Sequence, residues 1–318
     1  MKKHWNIAAA LAAAGVLSAC GNNEASSGDQ EDTTESQEES GSEEETKTIT
    51  DPTGRDVEMP ASPDKVVALQ NVAEMIILEE EPIGTTSYYL DTYEDELDTE
   101  ETENVGDDMP DVEKVSGLEP DLIIISDYQA DSLENLEKIA PVYMTAFGAT
   151  PEEQLADITE VLGKEDAKEE WMTEFEENAE EAQSLIEDAG EADSQAAVIQ
   201  FYGKELYIHD RSIFEGLYTK AGVEPSPGVL ENEETQAVSL ETIADYTEGA
   251  DHLFILTENG ESTEDAEELV NTLLQDTEAV ENEQYYYVDN TKWSDFSLKG
   301  QEYQMKDAVE KITGSPME

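Results

Sequence analysis

Cysteine, histidine and positive charge are all scarce in this 318-residue chain. It has one Cys, three His, and 16 Lys plus Arg against 80 Asp plus Glu, a formal charge of −64 at pH 7. A single Cys excludes an intrachain disulfide, so stability must come from packing. With His4 in the leader, only His209 and His252 remain, too few for an ordinary zinc site without carboxylate help. The charge excludes nucleic acid as a partner and opposes contact with anionic lipid headgroups. No P-loop, G-x-G-x-x-G or G-x-S-x-G occurs, so no enzyme signature is present and the chain reads as a non-enzyme. The apolar run at the start, Ile7 to Ala19, is too short to span a bilayer.

That run follows Lys2, Lys3 and His4 and ends in Leu17-Ser18-Ala19-Cys20. A basic start, a short apolar stretch and small residues before a cut describe a secretory signal peptide over residues 1–19. A Cys directly after Leu-Ser-Ala resembles the lipobox of bacterial lipoproteins, which implies acylation (palmitate or similar) of Cys20 and a lipid anchor on the outer face of the cell membrane. The alternative is a plain secretory signal with a chance Cys. Residues 20–47 follow as a tether. Gly21 to Lys47 carries ten acidic residues among Ser, Thr, Gln, Gly and Asn, with no aromatic, a composition that cannot build a core.

Beyond the tether, apolar β-branched runs recur at Lys65–Leu69, Leu122–Ser126, Ala196–Tyr202, His252–Thr257 and Gln284–Val288. Ile123 to Ile125 is continuously apolar, as in a strand covered on both faces. Helical spacing separates the strands: Leu133, Leu136, Ile139 and Ala140; Leu155, Ile158, Val161 and Leu162; Leu269, Leu273 and Leu274. Strand alternating with helix implies parallel βα units. Glu165 to Ala189 contains neither Pro nor Gly, and Trp171, Phe175, Ala179, Ala182, Ile186 and Ala189 form one stripe on an otherwise acidic stretch. This predicts one long helix, with Asp166 and Glu169 as a capping box and Gly190 as its stop. The expected fold is α/β. An N-terminal lobe (48–164) and a C-terminal lobe (191–318), with mostly parallel sheets, are joined by a single spine helix (165–190), and a ligand cleft lies between the lobes.

The segment from Asp51, D-P-T-G-R-D-V-E-M-P-A-S-P-D-K-V-V-A-L, resembles the opening of the iron-siderophore substrate-binding proteins of ABC importers. V-E-K-V-S-G-L-E-P-D-L-I-I-I-S from Val112, E-K-I-A-P-V-Y from Glu137 and A-V-S-L-E-T-I-A from Ala237 agree with it in order and spacing. One departure is visible: the family usually has Leu-Gly before the second strand, whereas Leu78 is followed here by Glu79, Glu80 and Glu81. The resemblance implies two lobes on a rigid helix, a monomer carrying a ferric siderophore and no cofactor besides the lipid, and delivery to an ABC permease. A haem or cobalamin binder of the same fold is the alternative; haem would need an axial His, Met or Tyr.

A siderophore supplies hard oxygens to its own iron, so the protein needs an aromatic cleft with a few donors rather than metal ligands. Tyr88, Tyr89, Tyr128 and Phe147 follow predicted strands, at the ends that face a cleft in such folds. Tyr202 and Tyr207 flank the first turn of the second lobe, and His209 lies within reach of a ligand there; each of these aromatics is otherwise ordinary surface cover. The resemblance places Arg211 on the iron-bound oxygens and Trp293 in the cleft. The alternatives are a surface Arg paired with Asp210 and a core Trp. The resemblance further implies that Glu113 and Glu241, one per lobe, dock with Arg residues of the permease. Scarce basic residues disfavour highly anionic catecholate or polycarboxylate complexes and favour a hydroxamate or mixed citrate-hydroxamate.

One reading of the charge is adaptation to a saline or alkaline exterior; the alternative, a disordered acidic protein, fits only the stretch Gly21 to Lys47. Like-charge repulsion opposes the compact state and fades as the screening length shortens from about 10 Å at 0.1 M to about 3 Å at 1 M salt. The melting temperature is therefore expected to rise between low and molar NaCl; a flat or falling value in a thermal scan would contradict this.

Overall fold

The computed structural model describes residues 45–107, 109–202 and 205–317, and the side chain of Tyr202 falls outside the description. The leader, Cys20 and nearly all of the tether therefore lie outside the described residues. Among the described residues no helix is long and apolar enough to cross a membrane.

The described chain starts with an antiparallel hairpin, β1 (Thr46–Thr50) and β2 (Asp56–Pro60). Its turn is fixed by Asp51, whose carboxylate accepts the backbone N–H groups of Thr53 and Arg55. Arg55 then ties the hairpin to the lobe, bonding Glu137 at 3.0 Å and the Val142 carbonyl at 3.1 Å. The first lobe continues as β3 (Val66–Ala68), α1 (Val72–Ile77), β4 (Gly84–Thr85), α2 (Ser87–Thr92), β5 (Glu103–Asn104), α3 (Val112–Gly117), β6 (Leu122–Ser126), α4 (Leu133–Leu136), β7 (Val142–Thr145) and α5 (Pro151–Leu162). Its five strands are all parallel, in the order β5-β4-β3-β6-β7. Residues of β6 alternate between two cores, Leu122 and Ile124 to one, Ile123 and Ile125 to the other. That is the continuous apolar run of a doubly covered strand.

Helix α5 shows why its boundaries are sharp. Thr150 and Glu153 form a reciprocal capping box, Pro151 holds the first helical position, and Gly163 closes the helix at φ 69°. The segment Leu133–Ala140 is less regular than its spacing predicts. It forms only the four-residue α4, preceded by a 3-10 turn over Asp127–Ser132 and followed by a turn at 137–139, rather than one helix. At the family's Leu-Gly position, Glu79 adopts φ 57°, the left-handed conformation that glycine takes without cost and other residues take at about 1 kcal/mol or more.

The spine helix α6 runs from Glu165 to Ala189, about 37 Å at 1.5 Å per residue. Gly190 stops it at φ 87°, as the sequence predicts, but its N-cap is Lys164 with no side-chain cap, so Asp166 and Glu169 do not make the capping box. Phe175, Ala182 and Ile186 are buried, while Ala189 is exposed beyond the end of the packed stripe. The second lobe comprises β8 (Gln195–Tyr202), β9 (Glu205–Ile208), β10 (Glu224–Pro225), α7 (Pro227–Leu230), β11 (Gln236–Val238), α8 (Ile243–Thr247), β12 (His252–Thr257), α9 (Glu264–Thr272), α10 (Glu278–Glu281), β13 (Tyr285–Asp289), α11 (Asn290–Trp293) and α12 (Leu298–Thr313). Its sheet is mixed. β10, β8, β12 and β13 pair in parallel, and β9 and β11 pair antiparallel at one edge.

One core joins the lobes. Leu122 and Ile124 of the first sheet, Phe175 and Ile186 of the spine, and Val198, Phe254 and Leu256 of the second sheet belong to a single buried cluster with Trp293 and Met305. Helix α12 lies against the spine, and its glycine at position 300 brings the preceding loop close. A Cβ at Gly300 would fall well inside van der Waals contact with the Asp295 carbonyl oxygen. The tight return of residues 294–297 onto α12 therefore requires glycine there.

Candidate functional site

A cavity of about 540 Å³ opens where the two lobes meet. The first lobe supplies the β3–α1 connection (Leu69 to Glu74), the face of α2 with Tyr88 and Tyr89, Tyr93 beyond it, Tyr128 and Gln129 after β6, and Ala146 to Gln154 after β7. These are the C-terminal ends of parallel strands, where open α/β sheets place their ligands. The second lobe supplies the loop Ser294, Asp295, Phe296 and Ser297.

The aromatic residues are disposed unusually. Tyr88 (46%), Tyr128 (68%), Phe147 (64%) and Phe296 (54%) are the exposed Phe and Tyr side chains among the described residues, and all four line this cavity. Tyr128 and Phe147 face each other at 5.8 Å between ring centroids. Tyr88 meets Tyr89 edge-on at 5.1 Å, and Tyr89 stacks on Tyr93 at 6.3 Å. Exposed rings of this kind lose water readily to an apolar or π-rich ligand. Among the described residues no Lys, Arg or His lines the cavity.

Its polar groups are held in place. Asn71, at φ 63°, donates to Gln154 Oε1 at 2.9 Å and to Glu74 Oε2 at 3.2 Å, and accepts from Thr145 Oγ1 at 2.8 Å. Gln129 reaches back to the Leu69 carbonyl and the Ser126 amide. Across the lobe boundary, the Tyr93 hydroxyl donates to Asp295 Oδ2, and Lys292 pairs with Asp95 at 3.0 Å. The Asp295 carboxylate also accepts from Ser297 N at 3.0 Å and Ser297 Oγ at 2.9 Å.

Glu74 is 2% exposed, and its Oε1 has no hydrogen-bond partner. Burial pushes its carboxyl up to about 7, with the Asp295 charge adding in the same direction. Burial likewise raises the Asp295 carboxyl above the usual range, against the pull of the Tyr93 and Ser297 hydrogen bonds and of Lys299.

The sequence-predicted residues divide cleanly. Tyr88, Tyr89, Tyr128 and Phe147 converge on the cavity. Arg211, Tyr207, His209 and Trp293 do not line it. Trp293 is a core residue, fully buried, with its indole N–H donating to Asp307 at 2.9 Å and its ring 4.9 Å from Phe254. His209 is braced by Gln200 at 2.7 Å and Thr235 at 3.0 Å, and burial lowers its pKa, which keeps the ring neutral at pH 7. The Tyr207 hydroxyl donates to Glu205 at 3.0 Å. Arg211 is exposed at the start of a 3-10 turn and makes no ion pair with a described residue; Asp210 instead caps that turn through Ser212. Tyr202 ends β8. Glu113, in the first turn of α3, and Glu241, just before α8, are both exposed. Glu74, Asp295 and Phe296 were not singled out by sequence. The signals they carry are weak: an acidic residue opening an apolar helix, and a polar loop after the last strand. Among the described residues no cluster of His, Cys, Asp and Glu could hold a metal ion.

Residues 75–291 match the family model described as periplasmic binding protein. The chain is 28% identical over 262 residues to the iron(3+)-hydroxamate-binding protein FhuD of Bacillus subtilis, covering 77% of each chain. It is 27% identical over 305 residues to the petrobactin-binding protein YclQ of the same species, covering 92% of this chain and 93% of that one. Among solved structures it resembles the FhuD protein of S. pseudintermedius at a TM-score of 0.70 and 19% identity, over 86% of this chain and all of the other.

The buried carboxyl makes a test of the site's electrostatics. A carboxyl raised on folding binds more protons in the folded state, so its contribution to stability is present at low pH and is lost as pH rises from about 4.5 through about 7. At 1.36 kcal/mol per pH unit the ionised state costs about 3 kcal/mol. Glu74→Gln is expected to be more stable than wild type at pH 8, and the gap should close towards pH 5. Parallel denaturation curves across that range check this, and a constant difference would show that Glu74 does not titrate as described.

Proposed function

The chain belongs to the periplasmic binding protein family, and from that premise we propose that it captures a ferric siderophore outside the cytoplasmic membrane and delivers it to an ABC permease. The observation that carries the reading is the collection of exposed aromatic rings around one cavity that, among the described residues, no cation lines. A ferric trihydroxamate has a neutral iron centre, since three hydroxamate anions balance one Fe³⁺, and its bulky coordinated groups suit an aromatic wall. A catecholate or polycarboxylate complex would bring net negative charge onto Glu74, Asp107 and Asp295. Relatives named for iron(3+)-hydroxamate binding and for siderophore binding support the ligand class, and the hydroxamate type is inferred from the cavity's charge.

Fluorescence titration of the purified protein with ferric hydroxamate, catecholate and citrate complexes tests this. The hydroxamate is expected to bind tightest. Tyr128→Ala and Phe147→Ala are each expected to weaken it about three- to tenfold, the range of one aromatic contact. Absence of saturable quenching by any ferric siderophore would refute the reading.

Anchoring through an acylated Cys20 fits the Leu17–Cys20 motif and an extracellular role. The wild-type chain should partition with membranes, and Cys20→Ser should be unprocessed or released; an N-terminus elsewhere than Cys20, read by mass spectrometry, would exclude the anchor.

Docking is proposed to use Glu113 and Glu241. Both are exposed, they lie in different lobes, and neither lines the cavity. Changing both to Ala should leave siderophore affinity intact and cut cellular uptake, and reversal to Lys should cut it further because opposed like charges repel. The pair Glu176→Ala and Glu180→Ala on the spine controls for the general acidity. Equal loss of uptake in the two double variants would defeat the assignment.

A further inference from the structure

Glu74, Asp107 and Asp295 line the cavity, and among the described residues no Lys, Arg or His lines it beside them. Glu74 sits in its wall, 2% exposed, with Oε1 buried and without a hydrogen-bond partner. Its other oxygen takes an amide proton from Asn71, and the residue's own backbone N–H also favours the ionised carboxyl. Asp295 faces it from the second lobe and Asp107 stands at the same cavity. The neighbouring ammonium groups are spent elsewhere, Lys292 on Asp95 and Lys299 on Glu302. A buried acceptor left open costs about 1–3 kcal/mol, more when charged, and in the wall of a cavity a ligand donor would recover that cost. Below about pH 7 a proton neutralises Glu74; above it, no Lys, Arg or His among the described residues lines the cavity to do so, which leaves that place to a ligand cation.

We propose that Glu74 is a specificity residue that accepts a protonated amine on the ligand, so that the cleft selects ferric hydroxamates carrying a free ammonium group over neutral or anionic ones. This rests on the siderophore reading above and names the ligand class within it. The aromatic wall of Tyr128, Phe147 and Phe296 takes the neutral iron centre, and the ammonium lies against the cavity wall at Glu74, held by the field of its carboxylate with Asp295 adding to the negative potential. An ammonium has three donors and a compact charge, and it is stabilised more in a water-poor cavity than at the protein surface. The long-range field of a chain at −64 also attracts cations, but about 0.5 M salt screens that field and leaves a buried pair largely intact.

The test is a matched pair of ligands: a linear ferric trihydroxamate with a terminal primary amine, and the same complex N-acetylated. The iron centre is identical and one charge is removed. In about 0.5 M NaCl near pH 8, wild type is expected to bind the amine form about tenfold tighter, the low end for a charge-assisted bond. Glu74→Gln is expected to bring the two affinities within twofold of each other. A wild-type ratio within twofold of one, or tighter binding of the acetylated form, overturns the inference and leaves the siderophore reading standing. A tenfold preference that persists in Glu74→Gln overturns the assignment to Glu74. Should that variant fail to fold, the salt dependence in wild type decides: a preference that survives 0.5 M NaCl supports the buried pair, and one that vanishes overturns it. Failure of wild type to bind either complex overturns the siderophore reading and this inference together.

Discussion

The two lobes share one hydrophobic core, and the cavity depends on that sharing. Inner-face residues of both sheets, Ile124 and Val198 among them, pack into the cluster that holds Phe175 and Ile186 of the spine and Met305 of α12. A core continuous across both sheets leaves little freedom for hinge motion, because packed interiors are bistable at best and not freely deformable. The Tyr93–Asp295 and Lys292–Asp95 contacts add polar ties at the same boundary. The aromatic wall on the first lobe and the 294–297 loop on the second are therefore held in fixed register, which favours a preformed site over one assembled on closure.

Charge and apolar surface are distributed so that each leaves the other room. Acidic side chains cover the exterior, including most of the outer face of the spine helix. Such a surface resists association, so exposed rings are tolerated where function needs them, and they are gathered at one cavity rather than scattered. The cavity's electrostatics run in the same sense as the surface. A buried carboxyl with one oxygen unpaired, a second carboxylate opposite and, among the described residues, no cation in the wall make a site suited to a neutral or cationic guest.

Much of this architecture is legible in the sequence because it rests on periodicity. Leu122–Ser126, His252–Thr257 and the helix Glu165–Ala189 have the limits that apolar spacing and flanking turn residues predict. The strand-end rule finds Tyr88, Tyr89, Tyr128 and Phe147, since the end of a parallel strand is a place in the fold as well as in the chain. On the second lobe the rule does not lead to the cavity: β9, paired antiparallel between β8 and β11, carries Tyr207 with His209 just after it, neither of which lines the cavity, and α11 turns Trp293 into the core. Glu74 is the instructive omission. In a chain with 80 acidic residues no composition signal marks one of them, and only its burial with one oxygen unpaired does.

The central claim is that the ligand sits in the aromatic cavity between the lobes. A crystal structure of the protein with a ferric trihydroxamate measures this directly. The iron should lie between the Tyr128–Phe147 pair and Phe296, with ligand atoms in contact with rings from both lobes. Iron density outside this cavity, for example against Tyr207 and Arg211 on the second lobe, would contradict it.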